Sequence, residues 1–302
     1  MHNPLMNSRG AILAELRSLI TTNAATPDLS TVLPGVRLAS SDTPNPLVTE
    51  VSEPVFALVA QGQKRVILGD SVFEYGAGEY LVVPVTVPIG GNVQRASTQA
   101  PYLAFIMDLN PAAIAALLLE TAGDTQRKAA PLDLAVSWAS DELLDAIVRL
   151  LRLLDHPSDI AVLRPMVERE ILWRLLAEDQ GRIVRQIGLA DSRLTQISRA
   201  IQSIRSNYAA SLSIEDLARE CGMSTATFYR HFRSVTSMSP LQYQKQIRLQ
   251  SARAKLIGNA VDIAEVGFAV GYDSPSQFSR EYSRLFGTPP SRDAAILRSQ
   301  RS

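Results

Sequence analysis

The chain has 302 residues, a length that corresponds to about two domains. Apolar residues make up 46% and charged residues 20%, a balance that excludes an intrinsically disordered chain. The 30 basic and 30 acidic side chains cancel, which taken alone argues against a nucleic-acid partner. The zero hides an asymmetry. Residues 1–190 carry 15 basic and 21 acidic side chains, a net of −6, whereas residues 191–302 carry 15 and 9, a net of +6. An acidic front part fused to a basic rear part points to a polyanion partner. The single cysteine, Cys221, excludes an intramolecular disulfide and a cysteine-rich zinc centre. The histidines lie far apart in sequence, so neither a metal nor a cofactor is expected. No secretory signal pattern is present, and no apolar run approaches the ~20 residues of a bilayer crossing. The chain therefore reads as cytoplasmic, with no membrane partner.

Residues 8–22 predict an amphipathic helix, with Ile12, Leu13, Leu16, Leu19 and Ile20 near a 3.6-residue period. Residues 23–53 read as loop with one strand near Val36–Ala39. Short β-rich runs follow at 55–61, 64–68, 71–75, 79–83, 91–98 and 102–109, separated by Gly and Pro. Strands this short and this evenly punctuated predict a small antiparallel barrel or sandwich. Strand alternation selects Phe56, Leu58, Val66, Leu68, Val82, Gln94, Phe105 and Met107 as candidate positions around a pocket. After Pro111 the pattern is helical, at 111–122, 141–154 and 160–188, with Asp141 as a candidate N-cap. The apolar stripes of the last two segments suit either an intradomain core or a dimer seam.

The rear part contains an internal repeat. Ser224, Phe228, Arg230, Phe232 and Pro240 recur fifty residues later as Ser274, Phe278, Arg280, Tyr282 and Pro290. Gly222 and Gly271 precede the two blocks, and each follows a short amphipathic helix, so each unit reads as helix, glycine turn, helix. Ser213 with Asp216 resembles a capping box, and Ser224 and Ser274 are N-cap candidates for the second helices. Arg230 and Arg280 stand two residues beyond an inward Phe, about 200° around the helix, and must point outward. A second helix that projects an arginine suits the major groove of duplex DNA. The two units are joined by an amphipathic segment, 240–256, which as a helix spans ~26 Å. That length sets two reading helices roughly one DNA turn, ~34 Å, apart.

The run from Asp216 through Gly222, Phe228-Tyr229-Arg230-His231-Phe232 and Ser239-Pro240 to Gly271-Tyr272, Ser276-Gln277-Phe278-Ser279-Arg280 and Pro289-Pro290 resembles the AraC/XylS family of bacterial transcription regulators. The resemblance covers about residues 195–295. Gln61-Gly62-Gln63-Lys64, Gly78-Glu79-Tyr80-Leu81 and Glu170–Leu176 are similar to that family's cupin-like N-terminal domain. The resemblance implies an α+β chain: a cupin-like antiparallel β-barrel with flanking helices over 1–190, then an all-α double helix-turn-helix domain over 191–302. It implies base-facing positions at Ala226, Tyr229 and Arg230 in the first unit and Ser276, Gln277 and Arg280 in the second. Thr225 and Ser279 then lie nearer phosphate. Ser237 departs from the family's usual glycine, and Gly267 from its usual alanine. A metal-dependent cupin enzyme needs two or more histidines on adjacent strands, and residues 54–109 hold none.

The expected function is thus a non-enzymatic, homodimeric regulator that binds promoter DNA. A small-molecule effector sits in the barrel, and the resemblance implies an activator of a nearby promoter, with RNA polymerase as its partner. The competing readings are a constitutive regulator whose barrel only dimerises, and a small-molecule enzyme with an accessory DNA-binding domain.

Overall fold

The computed structural model describes residues 4–24, 31–121, 134–189, 192–258 and 262–299. The domain boundary expected between residues 190 and 191 falls outside the described residues. Helix α1 (Pro4–Asn23) buries Leu16 and Ile20, the face its periodicity predicts. The strands that follow are β1 (Val36–Ser41), β2 (Val48–Ser52), β3 (Val55–Gln61), β4 (Gln63–Leu68), β5 (Ser71–Gly76), β6 (Glu79–Val83), β7 (Val87–Arg95), β8 (Tyr102–Asp108) and β9 (Val136–Trp138). They form two antiparallel sheets, one ordered β1-β8-β3-β6-β9 and the other β2-β7-β4-β5. The pairings leave the sheets separate, so this part of the α+β fold is a sandwich and not a closed barrel. Strands β2 and β9 are absent from the pattern reading. The first lies in a Pro- and Asn-rich stretch, and the second is too short to show alternation.

Charge interactions across the sandwich are consistent with which faces look at each other. Tyr75 of β5 acts on Tyr102 of β8, and Arg37 of β1 acts on Lys64 of β4. The strand register then places Arg37, Ala57, Ile106 and Tyr102 on the inner face of the five-stranded sheet. Phe56, Leu58, Tyr80, Val82, Phe105 and Met107 share its other face. That face meets helices: Tyr80 feels Glu178 and Asp179, and the Phe56 ring packs on those of Tyr80 and Phe105 at 5.3 and 6.1 Å.

The covering helices are α2 (Pro111–Glu120), α3 (Asp141–Arg152), α4 (Pro157–Ala177) and α5 (Gly181–Gly188). Ser140 caps α3, one residue before the expected Asp141, because its hydroxyl accepts the Leu143 amide at 3.2 Å. The stripe of α3 is core: Leu143, Leu144, Ile147, Leu150 and Leu151 are buried. The segment 160–188 is two helices, since Gly181 follows a turn in which its amide bonds the Glu178 carbonyl at 2.9 Å.

The rear part comprises α6 (Arg193–Ser206), α7 (Ile214–Glu220), α8 (Thr225–Thr236), α9 (Pro240–Gly258), α10 (Ile263–Ala269), α11 (Pro275–Phe286) and α12 (Pro290–Ser299). Helix α6 lies outside the repeat, and α12 begins at Pro290, the last repeated residue, so the repeat reveals neither helix. The core divides unevenly. The first unit's Leu217, Phe228, Phe232, Val235 and Tyr243 belong to one continuous apolar cluster with the sandwich. The second unit has its own cluster, built from Leu249, Leu256, Val266, Val270, Phe278 and Tyr282. Within it the Tyr282 hydroxyl donates to the buried Asp293 carboxylate at 2.7 Å, and Arg253 bonds the same carboxylate at 2.9 Å.

Candidate nucleic-acid interface and effector cleft

Each second helix begins at its serine. The Ser224 hydroxyl accepts the Thr227 amide at 3.3 Å, and the Ser274 hydroxyl accepts the Gln277 amide at 3.4 Å. The preceding Gly222 and Gly271 have φ of 63° and 92°, left-handed values that a Cβ opposes. Gly267 lets α10 approach α11 closely; a Cβ there stands 3.2 Å from the Phe278 ring.

Helices α8 and α11 each turn one side inward, Phe228 and Phe232 in the first and Phe278 and Tyr282 in the second. The opposite side is open. Thr225, Ala226, Tyr229 and Arg230 are exposed on α8, as are Ser276, Gln277 and Arg280 on α11, with Ser279 half-buried. The eight residues expected at DNA thus gather on one outward face per unit. The second face is more restrained than the first. Arg280 folds back so that its Nε donates to the Ser276 carbonyl at 3.3 Å, and the Gln277 amide donates to Glu281 at 3.4 Å.

Other polar side chains of this part serve the fold. Arg248 of α9 donates to the carbonyls of Tyr208, Ala209, Ala210 and Gly271, at 2.7, 3.2, 2.9 and 2.7 Å. Its place on an amphipathic helix gives no hint of this clamp. His231 is half-buried, and burial with the nearby Arg193 and Arg230 holds its pKa down. Cys221 is buried, its thiol donating to the Gln196 carbonyl at 3.2 Å, and burial pushes its pKa up.

The eight candidate pocket positions do not come together. Phe56, Leu58, Val82, Phe105 and Met107 are buried on the helix-facing side of their sheet. Val66 and Leu68 face the opposite sheet, and Gln94 is half-buried at the bulge of β7. On the inner face Val59, Leu81, Tyr102 and Ala104 are buried, and one part of it is less covered. Ala57 and Ile106 lie on central strands yet are only half-buried, as is Arg37 beside them. Two cations stand in this cleft. Burial lowers the pKa of Lys64, against the nearby Glu50 carboxylate, which raises it; among the described residues Lys64 forms no ion pair. Arg37 pairs with Asp108 at 2.8 Å through Nη2, while its buried Nε has no partner. Alternation finds strands but not their phase relative to the second sheet; the charged residues at the same spacing carried that signal.

A second hollow of about 580 Å³ lies between Gly35, Met107 and helices α2 and α4. Its charges are already matched: Arg164 pairs with Glu168 at 2.6 Å, and Arg169 pairs with Glu120. Among the described residues no group of three or more His, Cys, Asp or Glu can hold a metal ion, and no helix is long and apolar enough to cross a membrane.

Comparison with known proteins agrees with this geometry. Residues 32–183 match the family described as the AraC-type transcriptional regulator N-terminus, and residues 217–295 match a helix-turn-helix domain. The HTH-type transcriptional regulator ExsA of Pseudomonas aeruginosa is 27% identical over 172 residues, 56% of this chain and 60% of its own. The virulence regulon transcriptional activator VirF of Yersinia enterocolitica is 27% identical over 167 residues, 54% of this chain and 60% of its own. The chain therefore spans about 60% of the length of these curated relatives. Among solved structures, an apo ToxT variant from Vibrio cholerae shares the fold, with a TM-score of 0.53 and 10% identity over 87% of this chain and 98% of that one. Unsaturated-fatty-acid-bound ToxT gives a TM-score of 0.50 at 9% identity, over 86% and 94%. With a family match over half of its residues, in a sandwich followed by paired helix-turn-helix units, this chain belongs to the AraC-type transcriptional regulators.

Proposed function

We propose that the chain is a transcription regulator that reads duplex DNA with α8 and α11 and answers to a small molecule held in its front domain. The observation that carries this reading is the repeated capped helix, whose outward faces present Arg230 and Arg280 above a shared apolar inner side. The name of VirF as a transcriptional activator supports activation, with RNA polymerase as partner. The test is binding of the full chain to DNA across a salt series. Affinity is expected to fall steeply with salt, and a flat response rules the reading out.

The seat we assign to the effector is the cleft between the sheets. Lys64 and the unpartnered Nε of Arg37 supply cationic donors there beside apolar walls, which suits an amphipathic anion. A neighbour of the same fold is described as bound to an unsaturated fatty acid, which supports that class. In the 580 Å³ hollow both arginines already hold a carboxylate, whereas in the cleft Lys64 forms no ion pair among the described residues, so Lys64 is the donor that favours the cleft. Oleate is expected to raise the melting temperature of the wild type and much less that of Lys64→Met. Equal shifts in both proteins refute this seat.

A second copy is the partner we assign to α4. Its first half leaves Val162 and Met166 67% and 64% exposed, and Trp173 continues the stripe. Sedimentation is expected to show a dimer that Met166→Glu dissociates.

A further inference from the structure

Ser237 has φ 54° and is the one non-glycine residue with positive φ among the described residues. Fifty residues on, the same place in the second unit is held by Gly287, with φ 73°. Both residues close a reading helix. The Ser237 amide bonds the Arg233 carbonyl at 2.8 Å, and the Gly287 amide bonds the Ser283 carbonyl at 2.9 Å. A left-handed cap disfavours a residue with a Cβ. The first unit thus holds the less suited residue where its twin holds the suited one.

The surroundings of the two caps differ in step with that choice. The Ser237 hydroxyl meets the Ser71 hydroxyl of the front domain at 3.0 Å, and the Ser237 carbonyl accepts the Asp70 amide at 3.3 Å. Gly69 completes the β4–β5 turn at this point. A Cβ on it stands 2.2 Å from the Ser237 oxygen and 2.6 Å from Met238 Cγ, so the turn fits only without a side chain. On the exposed rim Asp70 also pairs with Arg233 at 3.3 Å. Around Gly287, by contrast, a Cβ meets nothing within 4 Å. The strained cap is the docked one.

We propose that Ser237 is a positioning residue: it clasps the end of α8 to the Gly69-Asp70-Ser71 turn, so that the front domain sets how the first unit meets DNA. The second unit carries no such clasp and stands on its own core. The proposal rests on the reading of α8 as a DNA-facing helix.

The test uses the full chain and DNA selected by it from a random pool. The bases read by each unit are identified with Arg230→Ala and Arg280→Ala. Ser71→Ala and Ser237→Gly each remove the side-chain hydrogen bond of the clasp, one from each side, and Ser237→Gly does so while easing the cap. Both are expected to shrink the affinity penalty for altering the α8 bases at least threefold, with the α11 penalty unchanged. Ser237→Asn tolerates the left-handed backbone and keeps an acceptor for the Ser71 hydroxyl; it is expected to restore discrimination. A role in helix capping alone shifts the melting temperature of Ser237→Gly and leaves Ser71→Ala like the wild type. An unchanged α8 penalty in Ser71→Ala, or an equal fall at both sets of bases, overturns the proposal. Without DNA, hydrogen exchange of the amides at 233–238 is expected to quicken at least threefold in Ser71→Ala. Unchanged exchange overturns the clasp independently of how α8 reads bases.

Discussion

The Arg248 guanidinium donates to the Gly271 carbonyl at 2.7 Å and so ties the connecting helix α9 to the turn of the second unit. The same cation holds the last carbonyls beyond α6 at Tyr208, Ala209 and Ala210. Gly271 is pressed against this strip: a Cβ on it falls 2.2 Å from the Ala209 oxygen. A lysine cannot reach four carbonyls at once with a planar fork. Arg248→Lys is expected to cost about 1.5–3 kcal/mol in urea unfolding, the range for hydrogen bonds to a charged group. A variant as stable as the wild type shows the clamp to be redundant.

Arg230→Ala and Arg280→Ala are each expected to relax base preference at one place in a selected site, by about 1–3 kcal/mol per base pair. Salt dependence changes little, because a base contact releases few counterions. Selections run with both variants check this. Loss spread evenly over all sequences instead marks the arginine as a phosphate contact.

Glu170 joins α3 to α4. The Arg149 guanidinium, bonded to it at 2.7 Å, and then Arg174 hold its carboxyl below the ordinary glutamate value of 4.5. A carboxylate held down in the fold contributes stability above the unfolded pKa and loses it as pH falls through the folded one. The stability gap between wild type and Glu170→Gln is therefore expected to be full at pH 7 and to close below about pH 4.5. Denaturant midpoints along a pH series check the sign, and a gap that does not narrow in acid contradicts it.

Gly188 ends α5 against α2. A Cβ on it lies 2.6 Å from Ile114 Cγ2 and 2.8 Å from the Ala115 amide nitrogen. The backbone contact cannot yield by a rotamer change, so Gly188→Ala is expected to destabilise the chain by about 1–3 kcal/mol through overpacking. A calorimetric scan with no loss of melting temperature argues that α2 shifts freely.

The rear part was legible because its signals are local and doubled. Ser224 and Ser274, the paired aromatics and the turn glycines specify caps, inner faces and corners within each unit. The front part was legible as strands and only partly as a site. Phe56 and Phe105 look like pocket residues because they are large and alternate, yet alternation is identical for both faces of a sheet. Only Lys64 and Arg37, costly to bury without a ligand or counter-ion, mark the inner side. The Ser71–Ser237 contact joins residues distant in sequence, and no spacing rule reports it. The departure of Ser237 from glycine was visible, but its cause was not.

The uneven division of the core has a consequence for time spent on DNA. The first unit shares its apolar cluster with the sandwich, and the second rests on a cluster of its own. If α8 and α11 read DNA as proposed, α9, about 28 Å for its 19 residues, keeps each unit at high effective concentration over its bases while the other is seated. Residence is governed by how rarely both units are off together, so weakening either one shortens it disproportionately.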